Sequence, residues 1–221
     1  MKKIRFIIAL AAAAFLTGNA AVAQLPVEVF AGDKRSTLDV MFFRFFKKAN
    51  GENSKILFFN RNRASVDYEM TANTNLPAFG FTEAVSYNHE ALKGFAPVFI
   101  GQIFNSGVYP KAGIQFYRLT GDITVFSWLV SETLSQPSVD YYILLRYTPP
   151  VGEKLRLFTQ LESLNTFPSE NDSQYNFTQR IRLGLQKEAW QFGLGSDLNQ
   201  RGRDDFQSLS NSGIFFRYEF R

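Results

Sequence analysis

Residues 175–186 read Tyr-Asn-Phe-Thr-Gln-Arg-Ile-Arg-Leu-Gly-Leu-Gln. Tyr175, Phe177, Ile181, Leu183 and Leu185 share one parity, and Asn176, Thr178, Arg180, Arg182, Gly184 and Gln186 share the other. Successive side chains of a strand point to opposite faces, so this stretch describes a strand with one apolar and one polar side. The same period recurs outward along the chain. Val139, Tyr141, Ile143, Leu145 and Tyr147 alternate with Asp140, Tyr142, Arg146 and Thr148. Leu155, Leu157 and Leu161 face away from Lys154, Arg156, Gln160 and Glu162. Trp190, Phe192, Leu194 and Leu198 oppose Gln191, Gly193, Gly195, Asp197 and Asn199, and Ile214, Phe216, Tyr218 and Phe220 oppose Arg217 and Glu219. After Gln24 no stretch carries a sustained helical stripe or 18 consecutive apolar residues, which excludes helical membrane spans.

Turn-rich breaks separate these runs, among them Lys48 to Ser54, Thr71 to Pro77, Leu92-Lys93-Gly94, Ser106-Gly107, Thr120-Gly121, Ser135 to Pro137, Pro149 to Gly152, Thr166 to Ser173, Lys187-Glu188 and Arg201 to Ser208. Eleven runs lie between Thr37 and Phe220, and Val27 to Phe30 supplies a twelfth. An even number lets every edge pair when an antiparallel sheet closes. The expectation is all-β: a single antiparallel transmembrane β-barrel of twelve strands, with ten as the fallback, and short loops. Across Ser106-Gly107 the face of Phe95, Pro97, Phe99 and Ile103 continues into Ala112, Ile114 and Phe116, as two-residue turns require.

The chain has 221 residues, 24 of them Phe, and no Cys. Thiolate zinc sites, Cys nucleophiles, thiol redox chemistry and lipid attachment through an N-terminal Cys are therefore excluded. Met1 to Ala23 reads as a secretory signal: Lys2, Lys3 and Arg5 open it, Ile4 to Leu16 is almost wholly apolar, and Ala21-Val22-Ala23 precedes a cut before Gln24. Residues 24–221 then form the barrel domain. The full chain has 24 Lys and Arg against 20 Asp and Glu; without the three basic residues of the signal it has 21 against 20. A nucleic-acid partner thereby loses its main support.

A soluble sheet buries its apolar face, whereas a membrane barrel turns that face to lipid. Long strands, aromatics near run ends and an opposite face rich in Arg, Gln, Asn, Gly and acids favour the membrane arrangement. The ending Ile214-Phe215-Phe216-Arg217-Tyr218-Glu219-Phe220 resembles the C-terminal assembly signal of Gram-negative outer-membrane β-barrels, with Arg221 a departure from the usual terminal aromatic. The resemblance is to the class and to no particular family. It implies integral insertion in the outer membrane after export, contact with outer-membrane lipid and lipopolysaccharide, and recognition of Ile214–Phe220 by the barrel-assembly machinery. Glu83 falls on the lipid side, where a midplane charge costs on the order of 1–3 kcal/mol.

Strand directions place Arg61, Arg63, Arg146, Lys154, Arg156, Arg180, Arg182 and Arg217 inward in the periplasmic half. Asp67, Glu69, Glu132, Asp140, Glu162 and Asp197 fall in the extracellular half, with Lys111 the exception there and Glu219 below. The simplest pairing sets Arg156 opposite Arg182. Such a belt favours anions at a constriction, unless the charges pair and fill the lumen. Tyr117, Phe126, Trp128, Tyr142 and Phe158 form an inward aromatic cluster, with Tyr142 opposite Phe158; they stack a flat solute or simply fill space. His89, the only His, points outward, away from Ser86 and Asn88. No catalytic residues, metal site or cofactor are expected. The leading function is a narrow passive channel for small solutes, anionic or aromatic ones included. The alternatives are a non-conducting barrel that docks other envelope proteins and an outer-membrane hydrolase with a site at the rim.

Overall fold

The computed structural model describes residues 25–69, 78–132, 134, 137–170 and 172–220. The signal-peptide segment, Arg221 and the whole Thr71 to Pro77 break lie outside them. Twelve antiparallel strands close into one barrel: β1 (Leu25–Gly32), β2 (Arg35–Lys47), β3 (Asn53–Asp67), β4 (Ala78–Tyr87), β5 (Phe95–Phe104), β6 (Gly107–Thr120), β7 (Ile123–Glu132), β8 (Ser138–Tyr147), β9 (Arg156–Pro168), β10 (Tyr175–Lys187), β11 (Trp190–Gly202) and β12 (Phe206–Phe220). Each strand pairs with its sequence neighbours, and β1 pairs with β12 to complete the cylinder. Two-residue connections do much of the work. Phe104 pairs with Gly107 and Lys187 with Trp190, so the tight turns are Asn105-Ser106 and Glu188-Ala189, one residue from the breaks expected above. Glu188 takes a left-handed φ of 54° to make its turn.

The alternation resolves as an inside-out protein. Ile181 is 50% exposed, Phe216 51% and Leu194 67%, all on the outer surface. Phe126, Phe158, Glu162 and Arg217 are buried within. Aromatics ring the outer surface near both ends. Trp190, Tyr218 and Phe220 cluster at the end that carries the termini, and Phe167, Tyr175, Phe177 and Phe206 at the far end. A strand of thirteen residues, such as β10, spans roughly 30 Å of membrane when tilted at about 40°. That is enough for a barrel's apolar band of about 25 Å with its aromatic rims. Among the described residues no helix is long and apolar enough to cross a membrane.

The seam is asymmetric. β1 has eight residues and β12 fifteen, so β1 covers only Gly213 to Phe220 of its neighbour. Beyond that point the buried Asn211 side chain takes over. Its Oδ1 accepts the backbone N–H groups of Lys34 (2.9 Å) and Arg35 (3.1 Å), and its Nδ2 donates to the Arg35 carbonyl (3.2 Å). Asn211 thus reaches past the β1 turn to fasten the start of β2. It crosses above Gly32, where a Cβ would stand 2.1 Å from the Asn211 Oδ1. Gly32→Val and Asn211→Leu are each expected to lower stability by about 1–3 kcal/mol, because backbone donors are stranded. Urea titration of the heat-modifiable gel band measures this; Ser210→Ala, on the outer surface, should leave the midpoint unchanged.

Candidate functional site

The lumen is organised in rows of residues that face each other across neighbouring strands. One row runs Phe158, Gly184, Gly193, Phe215 and Phe30, so two glycines lie between buried rings. The next runs Gln160, Arg182, Gly195, Gly213 and Gly32. Gly195 leaves room for the Arg182 guanidinium to lie along the wall, for a Cβ there would stand 2.9 Å from the Arg182 side chain. It stacks 4.1 Å from the centre of the Phe30 ring and donates to Glu28 at 2.9 Å and Asp197 at 2.7 Å.

From this wall an ion-pair network crosses the lumen. Glu28 on β1 holds Arg182 and Arg217. Asp39 on β2 holds Arg61 and lies 3.8 Å from Arg63. Asp197 on β11 holds Arg63 at 2.6 Å, with Arg180 at 3.8 Å. Glu162 on β9 is the hub: it takes Arg61 from β3 across the barrel, Arg180 at 3.5 Å, the Tyr142 hydroxyl at 3.2 Å and the Gln160 amide at 2.7 Å. Five guanidinium groups meet four carboxylates in one connected layer. Burial of each charge costs several kcal/mol, which only dense pairing offsets.

Compared with the belt expected from sequence, Arg61, Arg63, Arg180, Arg182 and Arg217 come together here. Of the acids expected in the other half, Glu162 and Asp197 interleave with these arginines, joined by Glu28 and Asp39. Arg146 stands beside the layer, donating to Gln160 at 2.9 Å with its guanidinium 5.8 Å from the Phe158 ring centre. Arg156 lies at the terminal rim, paired with Asp122 of the β6–β7 turn, and faces Gln186, not Arg182. Arg182 itself faces Gln160. Lys154 belongs to no strand: it sits exposed in the β8–β9 turn, because β9 begins only at Arg156. Lys111 pairs with Asp140, while Glu132 accepts the Leu134 N–H at 2.7 Å. Asp67 pairs with Arg35 at 2.9 Å on the far rim, Glu69 is exposed just past β3, and Glu219 accepts from Gln191 at 2.7 Å.

The aromatic cluster divides in two. Tyr117, Phe126, Trp128 and Tyr142 pack together with Phe43, Phe59 and aliphatic neighbours, including Ile100 and Leu144. Phe158 joins Phe30 and Phe215 instead. Tyr142 faces Leu164, and Phe158 faces Gly184, so the expected Tyr142–Phe158 pair does not form. Glu28, Asp39 and Phe59 were not singled out from sequence. The signal was there in part: Glu28 interrupts Val27 and Val29, and Asp39 interrupts Leu38 and Val40, each with strand parity.

Toward the far end the lumen opens into a cavity of about 590 Å³. Its two walls differ. Phe59, Trp128, Tyr142, Leu164 and Phe104 supply a largely aromatic side; Thr37, Asn176, Thr178, Asn199 and Arg201 supply a polar one. Arg61, Arg63 and Arg180 also line it, together with Asp197. The side-chain amide of Asn199 bridges Asn176 at 2.8 Å and Thr178 at 2.9 Å, fixing the polar wall. Towards the terminal end, by contrast, Gln160, Gln191, Gln115, Phe158 and Phe215 are at most 2% exposed and fill the lumen.

His89 caps the short 3₁₀ turn Glu90–Leu92 by accepting the Ala91 N–H on its Nδ1 at 3.2 Å, at the terminal end of the barrel. Among the described residues no group of three or more His, Cys, Asp or Glu is placed to hold a metal ion.

No protein-family model matches the sequence, and no curated protein matches it. Among solved structures the chain overlays on the KdgM porin, alone and in complex with disordered oligogalacturonate, at a TM-score of 0.49 and 11% identity; 90% of this chain and 100% of that chain are covered. It also overlays on the β domain of the Bordetella autotransporter BrkA, at a TM-score of 0.34 and 10% identity, covering 89% of this chain and 99% of that one. A mutant Rhodopseudomonas blastica porin follows at 0.30 and 7% identity, with 90% and 100% covered.

Glu162 is the most heavily used acid of the network. Glu162→Leu should cost about 3–5 kcal/mol, the usual penalty for stranding a buried charge. Glu162→Gln retains hydrogen bonding and should cost less; denaturant midpoints of the two variants give the comparison.

Proposed function

We propose that the chain is an integral outer-membrane barrel that acts as a narrow channel for small solutes, anions in particular. The far-end cavity is its entry from outside and the ion-paired layer its constriction. The observation that supports this reading is the make-up of that layer. What crosses the lumen from β3 to β9 is a set of side chains on rotatable stems, with five cations against four anions. An entering anion competes with Glu162 and Asp197 for arginines already in place, so passage requires exchange of partners and no movement of backbone. The aromatic wall gives a ring a face to stack on while the Asn and Thr wall takes its polar groups. Rows of charged side chains at a narrowing set ion preference in this way.

A second reading rests on the near-complete burial of Gln160, Gln191, Phe158 and Phe215, towards the terminal end. A lumen filled there makes a non-conducting barrel that docks other envelope proteins. Both readings share insertion through the outer aromatic rims, contact with lipid and lipopolysaccharide, and assembly through Ile214–Phe220.

Planar-bilayer recording separates them. Folded protein should give small conductance steps with anion preference, and Arg63→Gln with Arg180→Gln should move the reversal potential toward cations. Silent bilayers, with insertion shown by heat-modifiable mobility, would sink the channel and leave the docking barrel. Unchanged selectivity in the double variant would remove these arginines from the permeation path.

A further inference from the structure

The polar wall of the far-end cavity is a ladder with a cation at each end. Its inward rungs on β10 and β11 pair Arg180 with Asp197, Thr178 with Asn199 and Asn176 with Arg201. The two arginines stand on different strands, four residues apart along the ladder, about 13 Å. Arg201 is exposed at the mouth, and among the described residues its side chain makes no ion pair or hydrogen bond.

Arg180 stands at the foot, and it is the most loosely held arginine of the charged layer. Its contacts are 3.5 Å to Glu162 and 3.8 Å to Asp197. Arg63 and Arg182 reach Asp197 at 2.6 and 2.7 Å, while Arg61 and Arg217 bond directly to Asp39 and Glu28. Arg180 can also turn away without stranding an acid. Asp197 keeps Arg63 and Arg182, and Glu162 keeps Arg61, the Tyr142 hydroxyl and the Gln160 amide. The Arg180 side chain is 18% exposed and lines the cavity.

Between the two cations, Asn199 directs its amide N–H groups to Asn176 Oδ1 and Thr178 Oγ1. That leaves the Asn176 amide and the Thr178 hydroxyl as donors and Asn199 Oδ1 as an acceptor. Among the described lining residues Asp197 is the only carboxylate, against five arginines.

We propose that this ladder binds one elongated solute with an anionic group at each end and amide or hydroxyl groups between. The inner anion sits on Arg180 and the outer one on Arg201. Charge-assisted bonds at two separated points favour a molecule of matching length over a shorter one or one with a single charge. The site takes its sign of charge from the anion reading of this cavity given above and rests on it in that respect, but binding requires no current.

Calorimetric titration of the folded, detergent-solubilised protein tests this with three probes. N-acetyl-Glu-Gly-Gly carries two carboxylates separated by peptide groups. N-acetyl-Gln-Gly-Gly has the same length and one carboxylate, and N-acetyl-Glu has two held close together. The first is expected to bind at least about tenfold more tightly than either of the others. In Arg180→Gln and in Arg201→Gln that advantage should fall to about threefold or less. Lys187→Gln, exposed at the terminal end of β10, should retain it. Heat-modifiable mobility shows that each variant is a folded barrel. Equal binding of the three probes, an advantage that persists in either arginine variant, or no heat of binding for the first probe at millimolar concentration would each overturn the site. Current through protein that fails these titrations would remove the site and leave the channel; the expected titrations from protein silent in bilayers would uphold the site and sink the channel.

Discussion

A peptide group in hydrocarbon has only other peptide groups to bond with, and this constraint governs everything else in the structure. Twelve strands satisfy it by closing β1 on β12. Once the cylinder is closed, strand parity sends every second side chain to lipid and the rest to the lumen. The outer surface can then be apolar at little cost. The inner one inherits the charges that lipid rejects, and these must find each other.

How they do so depends on side-chain size as much as on charge. Guanidinium groups need length to reach across and floor space to lie down. Gly195, opposite Arg182 in register, provides that space. Further toward the termini Gly184 and Gly193 face each other between Phe158 and Phe215, and a Cβ on either would run into the backbone of the other's strand. Small residues on these strands therefore determine where the lumen is occupied, and the cavity begins where Thr37, Thr178 and Asn199 replace longer side chains on the polar wall.

The architecture was legible in the sequence because period-two alternation is a local property. The runs at 175–186 and 214–220 show it without knowledge of any partner strand, and the tight breaks limit how faces continue. The contents of the lumen were less so. Parity identifies Arg61 and Glu162 as inward, but their meeting depends on barrel diameter and on register between strands separated by 101 positions in sequence. β9 begins at Arg156, two residues after Lys154, which leaves Lys154 in the turn and puts Arg156 at the rim beside Asp122. The β8–β9 register sets Tyr142 against Leu164, six residues along from Phe158. Glu28 was obscured by the shortness of β1, whose eight residues give alternation little length to assert itself.

That shortness shapes the mouth of the barrel. Phe206 to Ser212 of β12 rise past the turn of β1, so the rim carries a step between β12 and β2. Asp33 closes the first rung of that step, its N–H donating to the Ser212 carbonyl at 2.9 Å and its carboxylate accepting the Ser212 N–H at 2.8 Å; beyond it the ladder with β1 has ended. The rim is accordingly notched there: the β1 hairpin stops seven residues short of the start of β12, and the gap in the wall lies between β12 and β2.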